Sequence, residues 1–284
     1  MADNNEEGRI DVDSFDFANE GASEETPMLV NYLITRLQQA MANPALQCEV
    51  QQQLQAYGFI PPHQEERIPE KSLGETSKRG TSKDLFQPLK ISESLWIIPQ
   101  WRSPPESTAT NIILDPGLAF GTGDHPTTQL CLRWLKNVVE GGEEILDYGT
   151  GSGILAITAL KLGAAQAVGV DIDPMAISSA THNASLNGYG PDSLRLSNAP
   201  AGNELIPAFE KKYDIVVANL LLNPLVLLSE CLLSYTKPGG QLGLSGILES
   251  QIDEVREAYG LQLDNISIEV QDGWACLSGT KSSH

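Results

Sequence analysis

The 284-residue sequence predicts an α/β protein: a doubly wound, mostly parallel sheet covered by helices on both faces, preceded by a short helical and polar N-terminal extension. Two observations carry this. From residue 144 onward, short apolar runs alternate with amphipathic stretches of helical period, the rhythm of a parallel sheet buried on both sides. A loop with three glycines then sits between the first of these runs and the helix after it.

In chain order, residues 1–26 hold nine acids (Asp3, Glu6, Glu7, Asp11, Asp13, Asp16, Glu20, Glu24, Glu25) and one base, Arg9. This leader therefore carries eight of the nineteen net negative charges and reads as a solvated acidic tail. In residues 27–57, Met28, Leu29, Tyr32, Leu33 and Leu37 recur at helical spacing, and a second short helix is expected over 45–57, ending at Gly58. Residues 63–84, rich in Glu, Lys, Ser, Gly and Thr after Pro61-Pro62, read as a linker. The expected division is thus a tail (1–26), a helical segment and linker (27–88) and one large domain (89–284).

Within that domain, residues 94–101 and 111–114 are rich in strand formers. A helix is expected over 127–139, with Leu130, Cys131, Trp134, Leu135 and Val138 on one face, and Thr127 or Thr128 as its cap. Strands follow at 144–148, 167–171, 213–218 and 241–245, with helices at 154–162, 174–187, 224–235 and 249–259. Residues 261–270 and 274–278 close the sheet as a hairpin turning at Gly273. Trp96, Trp101 and Trp134 are expected in the core, while Trp274 follows a turn near the sheet edge.

A net charge of −19 argues against a nucleic-acid groove and fits a basic protein partner. No run of eighteen apolar residues exists, so no membrane span is expected. Cys48, Cys131, Cys231 and Cys276 form no C-x-x-C pair, which predicts reduced structural thiols and no metal site. The leader has the charge of neither a secretory signal nor a transit peptide. The expected compartment is the cytoplasm, with a plastid or mitochondrion as the alternative for a eukaryotic source.

The loop reads Asp147-Tyr-Gly149-Thr-Gly151-Ser-Gly153, and the next strand ends at Asp171, twenty-two residues after Gly149. Glycines there let a ligand touch backbone, and a carboxylate at that distance can hold both hydroxyls of a ribose. A dinucleotide site prefers G-x-G-x-x-G with a pyrophosphate at the helix N-terminus. Here the spacing is G-x-G-x-G beside Asp147, which suits the ammonium of S-adenosyl-L-methionine (AdoMet) better than a pyrophosphate. Two more segments join the crevice. The run from Asp115 to Thr128 is glycine-rich and leads into a helix, and Asn219 ends a strand where its amide can bond an amine or an amino-acid group. His125 is a candidate base, or else a loop histidine that orders the backbone beside Pro126.

The runs GLAFGTGDHPTT, LDYGTGSGILAITALKLGAAQAVGVDIDP, VVANLLLNPL, LGLSGIL and GWACLSG, in this order, resemble the PrmA family, the methyltransferases of large-subunit ribosomal protein eleven. The resemblance covers residues 90–284. It implies a class I methyltransferase fold with a seven-stranded sheet, AdoMet as donor, and a protein amine (a lysine side chain or an N-terminus, with a ribosomal protein as substrate) as acceptor. Carried over, Thr128, Gly149, Asp171 and Asn219 contact AdoMet, and the loop from Phe120 to Pro126 lies near the donor and the incoming amine. Members of the family carry an N-terminal α/β recognition domain, whereas residues 27–85 here read as short helices and linker. A glutamine-amide methyltransferase would show Asn-Pro-Pro-Tyr where this chain has Asn219-Leu-Leu-Leu. The readings from other classes are a nicotinamide-dependent oxidoreductase and a non-catalytic interaction protein on the same scaffold.

Overall fold

Strand residues that alternate between two buried faces organise the protein. In β4 (Glu144–Tyr148), Ile145 points into one apolar cluster and Leu146 into another. β7 (Tyr213–Asn219) repeats this with Ile215 and Val217 on one side and Val216 and Ala218 on the other. A strand buried on both faces needs helices on both, and the sequence supplies them. The computed structural model describes residues 86–115, 121–198 and 212–283, all within one compact unit, Lys78–His284. The acidic leader, the 27–57 helices, the linker, Cys48 and Phe120 lie outside the described residues.

The first described elements are β1 (Leu89–Ser92), β2 (Leu95–Pro99) and β3 (Thr110–Leu114). They form a small sheet in which β1 and β2 are antiparallel and β2 and β3 parallel. After α1 (Pro126–Val138) and β4 come α2 (Ile154–Leu162), β5 (Gln166–Asp171), α3 (Pro174–Leu186) and β6 (Leu194–Asn198). Beyond β7 follow α4 (Leu222–Leu227), α5 (Ser229–Tyr235), β8 (Thr236–Leu248), α6 (Ile252–Tyr259), β9 (Leu263–Gln271) and β10 (Trp274–Lys281).

The large sheet has seven strands in the order β6-β5-β4-β7-β8-β10-β9. Its inner pairs are parallel, and β10 runs antiparallel to both neighbours. The core on one face joins Ile145, Ala167, Ile215 and Val217 to residues of α1, α2 and the small sheet; the other joins Leu146, Val216 and Leu244 to α4, α5 and α6. This is the doubly wound class I methyltransferase fold. The β9–β10 hairpin turns through Asp272 and Gly273, both at positive φ, as a two-residue Asp-Gly turn requires.

Several expected boundaries move. The helix expected over 224–235 is two helices that break at Leu228. β8 extends well beyond the expected 241–245, with a register shift opposite Tyr213–Ile215. The helix expected from 249 opens as a 3-10 turn at Glu249–Gln251. β6 was not expected, because LRLSN is half polar and lies at the sheet edge. Trp134 is core: a Cβ on Gly243 would stand 2.5 Å from its ring, so the glycine makes room for the indole. Cys131, Cys231 and Cys276 are buried free thiols. Among the described residues no helix is long and apolar enough to cross a membrane.

Candidate functional site

The parallel register brings the carboxyl ends of β4, β5 and β7 level. Tyr148 pairs with Val170 on one side and Ala218 on the other. The loop that leaves β4, Asp171 at the end of β5 and Asn219 at the end of β7 therefore share one edge of the sheet. In an open α/β sheet that edge is the ligand crevice.

The loop turns sharply. Gly149, Gly151 and Gly153 have φ of 78°, 53° and 80°, a region costly for residues with a Cβ. The amides of Gly149 and Thr150 both donate to the Val170 carbonyl, at 2.8 and 2.9 Å. At Gly149 a Cβ would collide with Leu220 Cδ2, so the glycine also admits a side chain from the β7 end. Asp171 binds the loop directly: its Oδ2 accepts from the Gly151 amide at 2.9 Å and its Oδ1 from the Asp173 amide at 3.0 Å.

Asp147 lies beneath this loop, fully buried. Its Oδ2 accepts from the Thr150 hydroxyl at 2.8 Å and from the Ala156 amide at 3.1 Å. The second bond satisfies an amide in the first turn of α2, whose N-cap, Gly153, has no side chain to do so. Oδ1 has no hydrogen-bond partner. Burial pushes the Asp147 carboxyl up to about 7, against the downward pull of the two hydrogen bonds. The sequence places this acid beside the loop; the structure shows it sealed under the loop, bonded to Thr150 and Ala156.

The other side of the crevice is α1. His125, not Thr127 or Thr128, caps this helix, its Nδ1 accepting from the Thr127 amide at 3.3 Å. The imidazole wins because Thr127 and Thr128 already stand inside the first turn, both buried. The Thr127 hydroxyl lies 2.7 Å from the same nitrogen. These bonds assign the neutral ring its proton at Nε2. Burial lowers the imidazole pKa, which favours this neutral form. The ring also stands edge-on to Trp274, with centroids 4.6 Å apart. Thr128 meets β7: the Asn219 amide nitrogen donates to its hydroxyl at 3.4 Å.

All the expected site residues among the described ones thus lie at one end of the sheet. Three further residues stand at the same end. Asn183, fully buried on α3, bonds Ser152 of the loop, and Ile172 and Met175 stand exposed beside Asp171. An asparagine inside a helix carries no signal of its target in sequence. Ile172 and Met175, however, are apolar positions flanking a predicted ligand acid.

The description "Ribosomal protein L11 methyltransferase (PrmA)" belongs to the family model that matches residues 13–282. The ribosomal protein L11 methyltransferase of Neisseria meningitidis serogroup C is 50% identical over 196 residues, which cover 69% of this chain and 63% of that protein. That of Paraburkholderia xenovorans is 48% identical over 201 residues, covering 69% and 62%. The chain thus spans somewhat under two thirds of the length of these curated relatives. The crystal structure of a ribosomal protein L11 methylase from Lactobacillus delbrueckii subsp. bulgaricus superposes with a TM-score of 0.63 at 32% identity, covering 69% of this chain and all of that one. A family model that runs from the acidic leader to the last strand, on a sheet with this glycine loop, places the chain in the ribosomal protein L11 methyltransferase (PrmA) family.

Proposed function

We propose that the protein transfers methyl groups from AdoMet to amino groups of a protein, lysine side chains or an N-terminal amine, with ribosomal protein L11 as the candidate substrate. The observation that carries this is the loop itself: three glycines at positive φ, held at the carboxyl end of β4 by Asp171, above a buried and half-bonded Asp147.

The residues fit AdoMet. Asp171 keeps acceptor capacity for the ribose hydroxyls, and Ile172 and Met175 offer apolar surface next to it for the adenine. Gly149, Gly151 and Gly153 let the backbone approach the ligand, and Asp147, ionised above about pH 7, then supplies negative field under its ammonium. The same carboxylate occupies the Ala156 amide in the first turn of α2 and sets an acid beneath that helix N-terminus, so a pyrophosphate is disfavoured there. That speaks against the nicotinamide reading.

When bound, AdoMet supplies a methyl on a sulfonium, an excellent leaving group, so the protein mainly positions and desolvates. Asn219 and Thr128 stand together and offer an amide and a hydroxyl to hold the incoming amine or the donor. A free lysine has a pKa of about 10.4, and apolar surroundings such as Leu220 favour the neutral, attacking amine. His125 serves as a positioning residue: its Nδ1 is committed to the α1 cap and its neutral ring carries a proton at Nε2.

The test is transfer of labelled methyl from AdoMet to purified ribosomal protein L11 and, in parallel, to a whole lysate. Label on L11 supports the full proposal. Label on another protein alone keeps the chemistry and discards the substrate. AdoMet binding with no label anywhere supports the non-catalytic reading.

A further inference from the structure

Two asparagines one turn apart, Asn183 on α3 and Asn187 at its C-cap, treat β3 as a neighbouring strand would. Asn187 accepts from the Ile113 amide at 3.0 Å and donates to the Ile113 carbonyl at 2.7 Å. Asn183 accepts from the Asp115 amide at 2.9 Å, two residues further on. Its other half reaches the glycine loop: Nδ2 donates to the Ser152 carbonyl at 2.9 Å. The Ser152 hydroxyl then donates to the Gly121 carbonyl at 2.7 Å. The contact is close, since a Cβ on Gly121 would stand 2.8 Å from that hydroxyl. Asn183 is fully buried and Ser152 nearly so.

One continuous path of hydrogen bonds therefore runs from Asp115 through Asn183 and Ser152 to Gly121. It crosses the loop between Gly151 and Gly153, where the donor is proposed to bind. Neither side chain is needed to hold its own element. α3 is capped by Asp173, whose side chain accepts from the Met175 amide, and the glycine loop is held by Val170 and Asp171. Their bonds go instead to the segment that leads through Gly121 to His125.

We infer that Asn183 and Ser152 are positioning residues, a strut through which the glycine loop sets the placement of Asp115 and of the segment from Gly121 to His125. Resting on the reading of this crevice as an AdoMet site, the strut ties the donor side to the acceptor side. Donor binding at the loop is then transmitted to the residues that lead into α1, and by reciprocity the acceptor side reports back.

The test uses the full chain as wild type, Asn183→Leu, Ser152→Ala and the double variant. AdoMet affinity is read by calorimetry, and amide hydrogen exchange over residues 113–126 is read with and without AdoMet. In the wild type, AdoMet slows exchange over 121–126. In each single variant that slowing falls to about a third or less while Kd changes less than about threefold, because the two sites have been uncoupled rather than the donor site lost. The double variant loses no more than the worse single one, since both break the same path. Full AdoMet-dependent slowing in the variants, or losses that simply add, overturns the inference. Should Asn183→Leu not fold, Ser152→Ala decides alone, because it leaves the Asn183 packing in place. A wild type that binds no AdoMet refutes the donor reading first, and the strut with it.

Discussion

Asp147→Asn replaces a buried carboxylate by a group of the same shape that cannot ionise. The carboxyl of Asp147 titrates at about 7 in the fold instead of 3.8. In the unfolded chain it is ionised above pH 4, whereas in the native protein it stays protonated until about pH 7. Between these values the native state binds the extra proton, so stability falls as pH rises through this window and levels off above it. At about 1.4 kcal/mol per pH unit, the ionised acid costs the fold roughly 4 kcal/mol above neutrality. The asparagine keeps the acceptor for Thr150 and Ala156 but sets a buried amide donor where Oδ1 has no partner, which returns about 1–3 kcal/mol of that gain. The variant is therefore more stable than the wild type by about 1–3 kcal/mol at pH 8.5, about 2–10 °C in Tm, and no more stable at pH 5. AdoMet binding at pH 8.5 goes the other way and weakens about tenfold or more, because the field under the ammonium is gone. The assay is thermal unfolding at both pH values with calorimetry beside it. A stability difference that does not change with pH, or an unchanged Kd, refutes the assignment of a strained, ligand-serving carboxylate.

The other predictions concern the same edge of the sheet. Asp171→Ala weakens AdoMet binding by about 1.5–3 kcal/mol by calorimetry, and it also lowers Tm because the Gly151 and Asp173 amides lose their acceptor. Gly149→Ala meets both a positive φ and the Leu220 side chain, so thermal unfolding should show a loss of about 1–3 kcal/mol, accompanied by loss of AdoMet binding. His125→Asn keeps a good N-cap, so thermal unfolding places it about 1 kcal/mol above His125→Leu in stability. Its methyl-transfer rate stays within about tenfold of wild type, whereas a loss of about 100-fold or more at unchanged AdoMet affinity reinstates the imidazole as a base.

The parts of this protein that were legible in sequence are those whose cause is local. The β4–α2 and β5–α3 units announce themselves because each strand is a short, largely apolar stretch and each turn needs glycine or a capping acid, as at Gly153 and Asp173. β6 carries no such run, since an edge strand buries little, and the break at Leu228 has neither glycine nor proline to mark it. The cap of α1 is hard to place for a related reason: threonine is a common choice, and the fold shows that the imidazole one residue ahead of Pro126 takes the amide, in keeping with a histidine that orders the backbone there.

The side of the crevice proposed for the donor is built from local signals, from Asp147 to Gly153 and on to Asp171. The side proposed for the acceptor is not, because its placement depends on bonds that span the chain. Asn183 reaches back 68 residues to Asp115, and Ser152 reaches back 31 to Gly121. In sequence both are ordinary polar residues of a helix and a loop. An uncharged side chain that joins two backbones leaves no periodicity, no charge and no motif, yet it decides whether two correctly formed halves face each other. Ser152→Ala, which leaves the Asn183 packing in place, should therefore keep the Tm and AdoMet affinity near wild type and still slow methyl transfer, which separates placement from binding in this crevice.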